Sequence, residues 1–259
     1  MSAEPDIDIV GLSVDYRRGD GSVKHAVENF DLKVFPGQIV SIVGPSGCGK
    51  TSVLRAVLQA EIDEVEYRGH CRVNPAREGS LSYLQQKPAL LPWRTALENV
   101  ALGQEVRGLM SSDSLISVEE LLNDFGLGGS TMSVYPDQLS VGMQQRVAIA
   151  RALESSPKVL LCDEPFSSID FISRLKLNSI FKRRCSSKVS VLMVTHNIDE
   201  AIFLSSHVCV MSGSPGRIVE VIPTAIPKFT GDAVAVRDRS EFKEHFDKIW
   251  NLMKTYETT

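Results

Sequence analysis

The chain has no long apolar run. Its most hydrophobic stretches, IVSIV (39–43), VLLC (159–162) and VSVLMV (189–194), are strand-sized, whereas a membrane-spanning helix needs roughly 18 consecutive apolar residues. The chain is therefore not expected to make a pore by itself. Basic charge is also scarce: 28 Lys and Arg stand against 32 Asp and Glu, a formal net charge of -4. Proteins that grip nucleic acid by its backbone carry clustered positive charge, so no nucleic-acid partner is expected and any polyanion must be held locally. The five cysteines, Cys48, Cys71, Cys162, Cys185 and Cys209, form no CxxC pair and have no histidine at metal-ligand spacing. That argues against a zinc site and fits a reducing cytosol. The opening MSAEPDIDIV lacks the basic and apolar regions of a secretory leader, so secretion is not expected. Internal repeats and low-complexity segments are missing too.

With 259 residues, 43% of them hydrophobic, the chain can bury a substantial core. QIVSIVG (38–44), PKVLLCDE (157–164), KVSVLMVTH (188–196) and HVCVM (207–211) are short β-branched runs separated by helical stretches. They read as buried strands of an α/β sheet. Between the first two, LPWRTALENVALG and SVEELLNDFG show helical periodicity, and Ser117 with Glu120 reads as a capping box. Residues 94 to about 155 thus look like an inserted helical subdomain. Residues 5–40 alternate polar and apolar around GDGS and suggest antiparallel strands. Near the end, Phe242, Phe246, Ile249, Trp250 and Met253 fall on one face of a helix.

GPSGCGKT, Gly44 to Thr51, follows a predicted strand and opens a predicted helix, the context a phosphate-binding P-loop requires. In the loop Gly44, Pro45, Ser46, Gly47, Cys48 and Gly49 the glycines would let backbone N–H groups turn inward around a β-phosphate. Lys50 would reach the β/γ oxygens, and Thr51 would ligate Mg²⁺. VLLCDE ends a strand in two adjacent carboxylates; strand neighbours point in opposite directions, so Asp163 and Glu164 are expected to take different roles. Asp163 would lie beside Mg²⁺, and Glu164 would polarise the water that attacks the γ-phosphate. His196 ends the following strand, where an imidazole could sense that phosphate. These strand ends are expected to converge on the edge at which open α/β sheets bind ligands. LSVGMQQR (139–146) opens a second helix, with Ser140 and bare backbone N–H groups offered to an anion.

The ordered set GPSGCGKT, YLQQ, LSVGMQQRVAIARAL, VLLCDEPFSSID and MVTHNIDEA resembles the nucleotide-binding subunit of an ATP-binding cassette (ABC) transporter, over about residues 8 to 222. LLPW (90–93), THNIDEAIFLS and SGSPGRI (212–218) are most similar to the nitrate, sulfonate, taurine and bicarbonate importer group. The resemblance implies a P-loop NTPase fold of the ABC ATPase type, with an N-terminal antiparallel β subdomain and an inserted α-helical subdomain. It implies an ATP-binding domain over 5–225 and a C-terminal helical extension over 226–259.

The resemblance also implies ATP with Mg²⁺, and two subunits facing head to tail, so that Ser140, Gly142 and Gln145 of one serve the ATP held by the other. Tyr16 resembles the aromatic that stacks on adenine, its alternative being an ordinary strand aromatic. In YLQQ, Gln86 is favoured over Gln85 as the glutamine near Mg²⁺ and water, the register staying open. Asp170 matches the D-loop that talks across the dimer. Leu90, Leu91 and Trp93 read either as a surface that meets a membrane subunit or as core. Three departures stand out. Val141 replaces the usual glycine and could crowd the γ-phosphate; the stretch from Thr51 to Gln86 is short; and SSID replaces a commoner D-loop.

What the resemblance implies is an ATPase beneath a separate permease, fed by an extracytoplasmic solute-binding protein and peripheral on the cytoplasmic face of the plasma membrane. A soluble cassette ATPase outside transport, and a cassette that binds ATP but hydrolyses it poorly, are the alternative readings.

Overall fold

The computed structural model describes residues 4–74, 76, 80–185, 188–224, 236–237 and 239–257. The expected domain boundary at 225 lies outside them. Strands β1 (Ile7–Arg17) and β2 (Val23–Val34) form the hairpin foreseen around GDGS. The turn is closed by the Arg18 N–H on the Ser22 carbonyl and by the Ser22 N–H on Asp20 Oδ1, each at 2.8 Å. β4 (Val65–Val73) adds antiparallel to β1, giving a three-stranded sheet ordered β2-β1-β4. β4 is an addition to the expected strands: Val65, Tyr67, Cys71 and Val73 alternate with polar residues around Gly69 and pack against the core.

The second sheet has six strands, ordered β5-β6-β7-β3-β8-β9. β3 (Ile39–Val43), β6 (Val159–Asp163), β7 (Ser190–Val194) and β8 (His207–Met211) coincide with the four apolar runs. β5 (Leu81–Leu84) pairs parallel with β6, and β9 (Ile218–Pro223) closes the other edge antiparallel to β8. Strand alternation divides the core into two layers. Val40, Ile42, Val159, Leu161, Leu192 and Val194 face the small sheet and α1 (Lys50–Val57), while Leu160, Cys162, Val191 and Met193 face the remaining helices. Each fully buried Leu, Ile or Val here contributes about 1.5–3 kcal/mol.

The inserted region holds α2 (Ala96–Val106), α3 (Ser112–Asp124) and α4 (Val141–Glu154). The expected capping box at Ser117 and Glu120 is corrected: both lie inside α3, which begins earlier, with Ser111 as N-cap and Ser114 closing the box. The apolar periodicity that marks a helix says less about its start than the serines at 111 and 114 do. Thr95 and Glu98 form a full box at the head of α2. α5 (Phe171–Cys185) and α6 (Ile198–Leu204) follow β6 and β7. The C-terminal helix α7 (Ser240–Glu257) buries Phe242 and Ile249, and Phe246 and Met253 pack against the same core. Trp250 departs from the expected face: it is 52% exposed and stacks on Phe246. No helix among the described residues is long and apolar enough to cross a membrane.

Candidate active site

The order β6-β7-β3 sets three strand ends side by side, and each delivers one part of the site. β3 runs directly into Gly44–Gly49. Gly49 has φ 98°, and a Cβ there would stand 2.6 Å from the Ala26 carbonyl oxygen, so only glycine fits. Gly216 of the SGSPGRI loop is required for the same reason of space: its Cβ would meet the Cys48 carbonyl oxygen at 2.0 Å. That loop backs the phosphate loop from behind. Cys48 itself is buried, and burial raises its thiol pKa, so it packs rather than reacts.

Lys50 and Thr51 open α1. Lys50 Nζ donates to the carbonyls of Gly44 and Pro45, both at 2.8 Å, and Thr51 Oγ1 donates to Asp163 Oδ1 at 3.1 Å. Asp163 is buried, and burial is the main cause that lifts its carboxyl above the usual range, with the Thr51 hydrogen bond opposing it. A buried carboxylate beside a threonine hydroxyl is a hard-oxygen pair that suits Mg²⁺.

β6 ends at Asp163, and Glu164 then adopts φ 48°, a left-handed backbone held by its N–H on the Val194 carbonyl at 2.8 Å. Strand alternation was the expected reason for the two carboxylates to diverge. The actual reason is this turn, a sparsely populated conformation for a non-glycine residue. It brings Glu164 Oε2 to 3.2 Å from His196 Nδ1 and 3.3 Å from Gln86 Nε2. Gln86, the residue the sequence favours over Gln85, thus reaches the carboxylate from the end of β5.

Tyr16, Ser46, Gly47, Lys50, Thr51 and Glu164 share the lining of a cavity of about 490 Å³. The Tyr16 hydroxyl lies 2.8 Å from Ser52 Oγ, which fixes its ring at the cavity wall. Arg18, Lys24 and Arg55 add positive charge to the same wall, as a polyphosphate would need.

The start of α4, the second place the sequence offers to an anion, faces outward. Ser140 is the N-cap of α4, its hydroxyl accepting the Met143 N–H at 3.3 Å, and Val141 is 61% exposed beside it. Gly142 lies near the Ser168 carbonyl, so α4 rests on the turn that leads to Asp170. Asp170 caps α5 by accepting the Ser173 N–H at 3.0 Å, and Ser173 holds its carboxyl below the ordinary range. Gln145 does not belong with these surface groups. It is fully buried and donates to the Pro165 carbonyl at 2.9 Å, so it braces the turn after Glu164 instead of reaching a ligand. Trp93 is 70% exposed, which places it on the surface rather than in the core, while Leu90 packs partly against the core.

Residues 27–167 match the ABC transporter family. An ABC transporter ATP-binding protein of Methanocaldococcus jannaschii, itself uncharacterised, is 36% identical over 246 residues, covering 91% of this chain and 86% of its own. Aliphatic sulfonates import ATP-binding proteins of Pseudomonas aeruginosa and Bacillus subtilis are 38% and 35% identical, covering 83% and 88% of this chain and 88% and 91% of theirs. Among solved structures, a dimeric ATP-binding cassette in a post-hydrolysis state, bound to ADP and Pi, superposes with a TM-score of 0.70 at 28% identity. That match covers 84% of this chain and 98% of the other. The chain belongs to the ABC transporter family, as an ATP-binding cassette that hydrolyses ATP.

Proposed function

We propose that this cassette powers an importer of a small anionic solute, with aliphatic sulfonates placed ahead of nitrate, taurine and bicarbonate. The observation that carries the ATPase half of the reading is the convergence on Glu164. A glutamine from the end of β5 and a histidine from the end of β7 meet one carboxylate oxygen, one residue from the Asp163–Thr51 pair. The sulfonate class is supported by the import proteins of Pseudomonas and Bacillus, whose similarity runs across most of both chains.

In this reading the loop Gly44–Gly49 and Lys50 hold the β- and γ-phosphates, and Tyr16 stacks on adenine. Thr51, Asp163 and Gln86 are the groups that would hold Mg²⁺, which when bound neutralises charge developing on the phosphate oxygens. Glu164 accepts a proton from the attacking water, and His196 orients the carboxylate and the γ-phosphate. Ser140 and Gly142 close on the ATP of a second copy, so two nucleotides bridge one dimer. Phosphate charge is satisfied on both sides only while ATP is intact; hydrolysis releases the halves. Residues 5–225 form the ATP-binding domain, followed by a C-terminal helical extension over 226–259.

No pore-forming segment is seen among the described helices, and a separate permease supplies it in this reading. A groove of about 540 Å³, lined by Trp93, Leu97, Met110 and Leu115 together with the charged Arg94, Glu98 and Glu105, is the surface proposed to receive that permease. Exposed aromatic and methionine side chains around a groove are features of a docking site. The subunit is then peripheral on the cytoplasmic face of the membrane, with an extracytoplasmic binding protein delivering the solute.

The test is to purify tagged Glu164→Gln protein from native membranes in Mg-ATP and identify its companions by mass spectrometry. A permease that is lost when Trp93→Asp is added supports the reading. A ribosomal or nucleic-acid companion, or none, supports a cassette outside transport.

A further inference from the structure

Val236 and Arg237, just before α7, lie by the starts of α5 and α6. Val236 and Phe242 are 1% and 4% exposed, so both are anchored in the core. Between them Arg237 reaches in two directions. Its Nη2 donates to Asp199 Oδ2 at 3.1 Å, and its guanidinium carbon lies 5.5 Å from the centre of the Phe171 ring. Arg174 lies 5.9 Å from the same ring, so Phe171 touches two guanidinium groups.

The positions of those partners give the contact its meaning. Phe171 directly follows Asp170 and is the first residue of α5. Asp199 is the second residue of α6, whose N-cap Asn197 directly follows His196. One guanidinium from outside the motif-bearing region therefore ties together the two helices that leave the D-loop and the His196 loop.

One end of the seam is closed by its own groups, Lys182 of α5 donating to the Phe203 carbonyl of α6 at 2.6 Å; at the end that Arg237 spans, buried polar groups are left unmatched. Asn178 of α5 and Glu200 of α6 are each 3% exposed and line a cavity of about 20 Å³. Asn178 Oδ1 and Glu200 Oε1 are buried there without a hydrogen-bond partner. A buried polar contact that is left unsatisfied costs free energy and adds no hold between the helices at this end, and small shifts between packed helices are a common way for sites to be coupled.

We propose that Arg237 is a positioning residue for ATP turnover: it fixes α5 against α6, and so sets the distance between the cross-dimer loop at Asp170 and the γ-phosphate sensor at His196. The proposal rests on the roles assigned to Asp170 and His196 above. The guanidinium serves both contacts at once, bonding a carboxylate and lying within cation–π range of a ring. Lysine can keep the charge but not the forked set of donors that reaches both partners at once.

Steady-state ATPase assays and thermal melts of the full-length chain test this. Arg237→Ala is expected to lower kcat about three- to tenfold while KM for ATP stays within about twofold, the pattern of an interaction made toward the transition state. Arg237→Lys should fall between. The double exchange Arg237→Asp with Asp199→Arg should recover at least about half of the loss if the pair is what matters. Wild-type kcat in Arg237→Ala overturns the proposal; so does a loss that follows the melting temperature and is not recovered in the double exchange. Glu164→Gln in the same assay keeps the two readings apart. If it turns over normally, the site assignment fails whatever Arg237 does; if it is inactive and Arg237→Ala is normal, only the present proposal fails.

Discussion

Glu164 Oε2 and His196 Nδ1 lie 3.2 Å apart, although they come from different strands and are separated by 32 positions in sequence. The contact exists because β6 and β7 are hydrogen-bonded neighbours up to the pair Asp163 and Val194. The Glu164 N–H then continues that pairing onto the Val194 carbonyl. The left-handed turn at Glu164 points the carboxylate along the sheet edge, where Gln86 also meets it.

Asp163→Asn is expected to separate stability from activity. Burial raises the Asp163 carboxyl pKa, so its ionised form costs stability whenever no cation is bound. The neutral variant should melt higher than wild type in EDTA at pH 8 and lose its ATPase activity about a hundredfold or more in Mg-ATP. A variant that melts lower and hydrolyses ATP normally would detach Asp163 from Mg²⁺.

Glu200 supplies a pH test. Burial pushes its carboxyl from 4.5 up to about 7, Arg174 and a Thr195 hydrogen bond opposing and the charge on Glu164 assisting. An acid that binds its proton more tightly when folded contributes most below its unfolded value, and that contribution is lost as the pH rises through the folded one. Glu200→Gln should therefore melt like wild type below about pH 5 and about 2–6 °C above it at pH 8. Equal melting temperatures at both pH values would show that Glu200 does not titrate in this window.

Val141→Gly addresses the departure in the helix that opens at Ser140. The valine is 61% exposed on the surface proposed to meet the partner's ATP, and removing its branched side chain should raise ATP-driven dimer formation about two- to fivefold. Sedimentation of the variant in Mg-ATP would show this. An unchanged dimer fraction means that the β-branched residue crowds nothing.

Much of the site was legible because its signals are local. GPSGCGKT needs only the strand before it and the helix after it, and the four apolar runs became β3, β6, β7 and β8. Strand order is not local. Nothing in the residues alone says that β5 lies beside β6, yet that neighbour relation carries Gln86 to Glu164. Gln145 was misjudged for a related reason. It lies in the same helix as the outward-facing Val141, capped by Ser140, but the turn of α4 buries it under Pro165. β4 does carry a period-2 pattern, interrupted only at Gly69, whereas the reach of Arg237 has no periodicity to betray it.

The most direct measurement is the molecular mass of Glu164→Gln in solution, by light scattering after gel filtration, in Mg-ATP and in Mg-ADP, with its turnover measured alongside. The account expects a dimer in Mg-ATP, a monomer in Mg-ADP, and turnover at least about a hundredfold below wild type. A monomer in both nucleotides with wild-type turnover would contradict it.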